Sequence, residues 1–208
     1  MFTGWLDATW TAKGRRNASV VGKKLKGKRI DVAFSSSLTR SKETLGQVLK
    51  YHSECKRVFR DDRMIERCYG ALQGHAHGAF IKKFGKELYD TYHRAYDFPP
   101  PNGESVKMVE KRVLPFIKEL LAFIKKYKVN VAISAHGNSM RPFRRYFEHA
   151  SIKQMMNWEM PYDDYFEYVV EVPSGKAPTV TKSSWKSVVL PPHVKLATDK
   201  HNVLKNYY

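Results

Sequence analysis

Residues 105–136 constrain the fold more than any other stretch. Val106, Val109, Val113, Phe116, Ile117, Leu120, Leu121 and Ile124 recur at three- and four-residue spacing. That pattern predicts one long amphipathic helix over 105–128, bent at Pro115. The run "VNVAISA" (129–135) follows at once and stops at His136-Gly137. An apolar strand fed by a long helix is the repeating unit of a layered α/β sheet.

The rest of the chain repeats the alternation. Helices are expected over 11–27, with Thr11 as N-cap and Gly27 near the end, and over 38–52. Between them "DVAFSS" (31–36) reads as a strand, and a brief extended piece follows around Val58–Phe59. Residues 79–96 read as one helix, broken off by Pro99–Pro101, and shorter helices are expected near 138–147 and 151–158. "DYFEYVVEV" (164–172) and "TVTKSSWKSV" (179–188) read as late strands joined by a hairpin around Ser174–Gly175. The predicted architecture is a three-layer α/β sandwich with a mostly parallel central sheet flanked by helices. It forms one domain over 1–190, followed by a tail over 191–208. Ligands of such sheets sit at the carboxyl ends of the strands. This places Ser35–Arg40, Glu66–Gly74 and His136–Asn138 on one rim.

Lys and Arg number 37 against 20 Asp and Glu, a net charge of +17. That field favours anionic partners without choosing among phosphorylated metabolites, nucleic acid and acidic lipid. Two cysteines, Cys55 and Cys68, are too few for a disulfide framework and have no zinc-finger spacing. No apolar run approaches the length of a membrane span. "MFTGWLDATW" lacks the pattern of a secretion signal. A soluble cytoplasmic protein is the expectation.

Four side chains on the rim carry chemistry. His136 closes a strand ahead of Gly137, whose bare backbone lets a ligand approach, and Asn138 or Ser139 can start a helix whose first amides face an anion. A lone histidine at this position is otherwise structural. Arg40 lies in a first helical turn, where a cation is mildly disfavoured; it is either a solvated side chain or a planar fork for phosphate oxygens. "IERCYGALQG" adds Glu66 and Tyr69. Glu66 is either a loop acid paired with Arg63 or Arg67, or a proton carrier whose pKa is raised toward neutrality. His75 and His77 lack a third metal ligand, so no metal is expected.

The motifs "FTGW", "SSSLTRSKET", "ERCYGALQG", "PPPNGES" with "RVLPF", and "AISAHGNSMR" stand in one order. In that order and spacing the chain resembles the cofactor-dependent phosphoglycerate mutases of the histidine phosphatase superfamily, from residue 2 to about 170. The resemblance implies a ping-pong interconversion of 2- and 3-phosphoglycerate through a phosphohistidine, with 2,3-bisphosphoglycerate as phosphoryl primer. It implies Glu66 as proton donor and acceptor and His136 as the second, phosphoryl-holding histidine. Arg40 matches the phosphate clamp, and Thr3, Gly4, Tyr69, Gly137 and Asn138 match further substrate contacts. His77 falls where the mutases usually place lysine, and His93-Arg94 where they place an arginine pair. The partners implied are anionic phosphoglycerates; a homo-oligomer is compatible with the sequence, and no nucleic-acid motif accompanies the basic clusters.

The family's nucleophilic histidine lies before Phe-Thr-Gly-Trp, in an Arg-His-Gly strand and turn that is also a central strand of its sheet. Met1-Phe2-Thr3-Gly4 begins this chain without it. The reading adopted is a start inside a longer reading frame, so that the chain as given lacks the first central strand and is inactive. The alternatives are a degenerate relative and a phosphomonoester phosphatase.

Overall fold

A computed structural model describes residues 1–190; the tail over 191–208 lies outside the described residues. Helix α1 (Ala12–Leu25) starts at Thr11, whose Oγ1 accepts from the Gly14 N–H at 3.0 Å. Strand β1 (Val32–Ser35) is buried along its whole length, and α2 (Thr39–Leu49) follows. Leu38 offers no capping side chain, so Asp7 serves from a distance, accepting from Thr39 N–H and Oγ1 at 2.7 and 2.6 Å. Strand β2 spans Arg57–Arg60.

The single helix expected over 79–96 is two, α3 (His77–Phe84) and α4 (Lys86–Arg94). Gly85 parts them with φ at 86°, a conformation that a side chain resists. Helix α5 (Val106–Tyr127) runs on through Pro115 and is capped by Ser105, which accepts from Met108 N–H at 3.2 Å. Strand β3 (Val131–Ser134), α6 (Gly137–Glu148) and α7 (Ile152–Asn157) complete the core.

The strands lie in the order β2-β1-β3, all parallel. The register aligns Ser35 with Arg60 and with Ser134, so all three carboxyl ends reach one level. Val131 and Ile133 face a core built on Val109, Val113, Phe116, Ile117 and Leu120 of α5. Ala132 faces the opposite layer, where Val21 of α1 meets Val48 of α2. Helix α6 packs on α5, and α1 on α2, giving the three expected layers.

The two late strands do not form. Residues 164–172 form no regular element and pair with no strand among the described residues. The segment lies across helices instead: the Tyr168 ring stacks on Phe147 at 4.6 Å and its hydroxyl donates to Glu148 at 2.7 Å. Over 179–188 there is one short helical turn and one bridge, Asp61 to Val188. Trp185 holds this stretch, buried with its indole N–H on Asp61 Oδ2 at 3.0 Å.

Candidate active site

The rim assembles from the loops that leave the three strands. After β1, Ser36 is fully buried and its Oγ lies 2.8 Å from His136 Nε2. The Leu38 N–H donates to the same Oγ at 3.3 Å. After β3, His136 is 7% exposed, and burial pushes its pKa down to about 4; the Glu66 carboxylate opposes that fall and Arg40 adds to it. The ring is therefore neutral at pH 7, and its Nε2 shares a hydrogen bond with the Ser36 hydroxyl.

Glu66 comes from the loop after β2. Its Oε1 accepts from its neighbour Arg67 N–H at 2.8 Å and from Asn138 N–H, in the first turn of α6, at 3.1 Å. Burial acts to raise the Glu66 pKa, but His136, these amides and Arg40 together hold it below the usual carboxylate range. The expectation of a raised pKa is thus reversed, because His136, the hydrogen bonds from Arg67 and Asn138 and the Arg40 charge together outweigh burial. Neither anticipated ion pair forms. Arg63 binds Asp61 and Glu119, while Arg67 donates to the Tyr92 and His93 carbonyls. A Cβ placed on Gly137 would stand 3.9 Å from Glu66 Oε2, so backbone and carboxylate border the same space.

Arg40 reaches over the N-terminal segment, donating to Gly4 O at 2.6 Å and Leu6 O at 2.8 Å. Gly4 has φ at 51°, and a Cβ there would meet Gln73 Oε1 at 2.3 Å. Thr3 beside it is half-buried. The Trp5 indole N–H donates to Glu66 O at 2.6 Å, tying this segment to the loop that carries the carboxylate. Arg40, Glu66, His136, Gly137, Asn138 and Gly4 are therefore brought together as expected.

The remaining predicted residues form a separate aromatic rim. Tyr69 is buried beneath the Arg67 guanidinium at 4.4 Å. His77 packs edge-on against Phe2 at 4.5 Å, and His93 stacks on Tyr89 at 5.0 Å. Burial lowers the pKa of His77, and burial followed by Arg67 drops His93 to about 4. Arg94 is exposed, and its charge is felt by half-buried Arg141.

Sequence reasoning missed the framework that holds Glu66. Arg112 of α5 grips buried Glu104 through Nε and Nη2 at 2.8 and 3.0 Å, and also donates to Glu66 O at 2.9 Å and Arg63 O at 2.7 Å. Glu104 Oε2 in turn accepts from Cys68 N–H at 2.9 Å. The two loops touch so closely that a Cβ on Gly70 would lie 2.1 Å from Pro101 O, and one on Gly103 2.8 Å from Cys68 O. Arg67 and Arg141 were missed as well. Arg67 is fully buried with Nε and Nη1 unpartnered among the described residues, and neither arginine has a carboxylate partner there.

A buried neutral imidazole, an ionised carboxylate on a helix N-terminus and guanidiniums unmatched by acids make a site for a multiply charged anion. Residues 1–183 match the histidine phosphatase superfamily, branch 1. The chain belongs to that superfamily. It is 37% identical over 160 residues to the 2,3-bisphosphoglycerate-dependent phosphoglycerate mutase of Parvibaculum lavamentivorans, across 75% of this chain and 76% of that protein. It is 38% identical over 146 residues to the phosphoglycerate mutase of Schizosaccharomyces pombe, across 68% of each. Among solved structures, mycobacterial glucosyl-3-phosphoglycerate phosphatase superposes with a TM-score of 0.65 at 21% identity, over 74% of each chain. That last likeness concerns the fold alone. The mostly parallel sheet with helices on both faces is thus the histidine phosphatase arrangement. Among the described residues no group of three metal-ligating side chains occurs, and no helix is long and apolar enough to cross a membrane.

Proposed function

We propose that this histidine phosphatase-superfamily protein interconverts 2- and 3-phosphoglycerate in glycolysis and gluconeogenesis, as a soluble cytoplasmic enzyme. The observation that carries the reading is the placement of Glu66 against His136 under the first turn of α6. Glu66, ionised before substrate arrives, takes the proton of an attacking hydroxyl; an incoming phosphate dianion raises its pKa by repulsion and equips it to return that proton to a leaving alkoxide. His136, fixed by its hydrogen bond with Ser36, stands beside the phosphoryl oxygens and stabilises the negative charge that grows there. Arg40 and the α6 amides take the remaining oxygens. The phosphoryl-accepting imidazole comes, in this reading, from residues ahead of Phe2.

The unpartnered Arg67 nitrogens, together with Arg94 and Arg141, suit a ligand bearing several negative charges, as 2,3-bisphosphoglycerate does. When bound, that primer supplies the phosphoryl group. Thr3, Gly137 and Asn138 line the approach, with buried Tyr69 supporting Arg67 from beneath. Metal-free assay of the protein carrying its upstream residues should give isomerisation stimulated by 2,3-bisphosphoglycerate, and an extended protein that never isomerises phosphoglycerate overturns the proposal. One observation favours a second reading, phosphomonoester hydrolysis. His93 is neutral and stacked on Tyr89, which weakens the clamp for a doubly phosphorylated primer. Phosphate release without isomerisation would decide for it.

A further inference from the structure

The solvent face of α5 carries a charge pattern that the catalytic rim does not use. Lys107, Lys111, Lys118 and Lys125 are exposed, and spacings of four, seven and seven residues return them to one side of the helix. At 1.5 Å per residue the stripe they draw is about 27 Å long. Lys107 pairs with Asp97 at 2.8 Å; Lys111, Lys118 and Lys125 have no acidic partner among the described residues. The exposed acid of this helix, Glu119, is taken by Arg63. A solvated helix face usually interleaves the two signs, whereas this one carries a single sign.

Beside the stripe, α5 and α6 border a cavity of about 300 Å³, lined by Glu110, Leu114, Arg145, Tyr146, His149 and Ala150. Leu114 follows Lys111 by three residues and precedes Lys118 by four, so both lysines adjoin it on the helix surface. A buried cluster sets the wall. Glu110 accepts from Arg145 Nη1 and from the Tyr96 hydroxyl, while Arg145 Nε donates to Ala150 O at 3.1 Å. Tyr146 is 36% exposed, and His149 is exposed at the end of α6. The cavity thus offers an aromatic face and an apolar side chain, with cations along its border. The 12 residues of α6 put the Glu66–His136 site about 18 Å away at the other end of that helix.

We infer that this face of α5, with the cavity at its side, is a binding groove for single-stranded nucleic acid. The lysines neutralise phosphates along the strand, and an unstacked base enters the cavity against Tyr146 and Leu114. A line of like charges suits a linear polyanion better than a compact phosphate, which Lys107 and Lys125 cannot both reach. A duplex keeps its bases stacked and leaves the cavity empty. An acidic lipid surface would satisfy the lysines, but α5 exposes no large apolar side chain to insert into it. No sequence motif marks the groove, because its charges come together only on the wound helix. The inference does not rest on the proposed function, since the two use different residues.

Fluorescence anisotropy of a labelled oligouridine of about ten nucleotides tests it, within the site sizes of single-strand grooves. The expected Kd lies between about 1 and 100 µM at about 0.1 M salt, and log K falls against log salt with a slope near about −2.8, four phosphate contacts at ~0.7 each. Lys111→Glu with Lys118→Glu should weaken binding at least ~10-fold and flatten the slope by about 1.4. Tyr146→Ala should weaken it ~5-fold or more through the lost stacking. Lys13→Glu with Arg16→Glu, on α1 in the opposite layer, changes the charge equally and should shift Kd by less than ~2-fold, being more than a screening length away. All five side chains are exposed, so far-UV circular dichroism should not change. Equal weakening by both charge-reversed pairs would show that net charge alone attracts the strand, and overturns the inference, as does absence of binding. Displacement of the strand by saturating 3-phosphoglycerate places it at the catalytic rim, and acidic vesicles binding more tightly through Lys111 and Lys118 assign the face to a membrane; either overturns it too. Turnover is not read, so loss of this groove leaves the proposed function standing.

Discussion

The two ends of the sheet contribute the two halves of the proposed catalytic pair, Glu66 and His136, and they hold them differently. The loop after β2 brings Glu66, braced by the Arg112–Glu104 pair and the Trp5 indole. The turn after β3 brings His136, held by Ser36 and by its own burial. On the β2 side the support is an ion pair and the strand is armoured with arginine; on the β3 side it is a pair of buried serine hydroxyls and the strand is apolar. A charged brace fixes a carboxylate against a helix terminus, while burial keeps an imidazole neutral. Each half has the environment its protonation state requires.

The strongest test of this contrast removes the brace. Arg112→Ala leaves Glu104 buried and uncompensated, and should destabilise the fold by about 3–5 kcal/mol in urea unfolding. A loss below about 1 kcal/mol would mean that the β2-side loop does not depend on its polar frame. On the β3 side the matching test is acidity. The His136 pKa is depressed to about 4 from 6.5, so the unfolded chain binds the proton first as pH falls. Its contribution is complete above pH 6.5 and is lost on the way down to about 4, by up to about 3 kcal/mol. His136→Asn should flatten the stability profile across that window, and an unchanged slope would place the sensitivity elsewhere.

Smaller effects separate the edges themselves. Ile133→Lys puts a cation against the α5 core and should cost about 2–3 kcal/mol, whereas Val58→Lys on the exposed β2 edge should stay within about 0.5 kcal/mol. Equal midpoint shifts would erase the distinction. Arg40→Ala should weaken phosphate binding by calorimetry about 10–100-fold, the value of one charge-assisted contact. Lys28→Ala, which loses only its exposed pair with Glu167, should leave it unchanged.

Most of the layered fold was readable from local patterns. The stripe on α5, the apolar run of β1 and the Thr11 cap are settled by side chains within a turn or two of one another. The three-segment rim followed from the rule that parallel strands end together, and the register bears it out. What was not readable depends on distant partners. "DYFEYVVEV" has a strand's alternation, but a ladder needs a neighbour that the local sequence does not name. The Glu104–Arg112 brace joins a loop acid to a helix across another loop, and no spacing in the chain announces it. The direction of the Glu66 shift is not readable locally, because His136 and the Asn138 amide, which act against burial, lie far along the chain.

The near-contact of Gly70 with Pro101 and of Gly103 with Cys68 has a consequence for saturation mutagenesis. Any side chain at either position wedges the two loops apart and carries Glu66 off its helix. Alanine at these glycines should therefore score as harshly as loss of the carboxylate itself, although neither residue is a proton carrier. A screen read without coordinates would count them among the reacting groups.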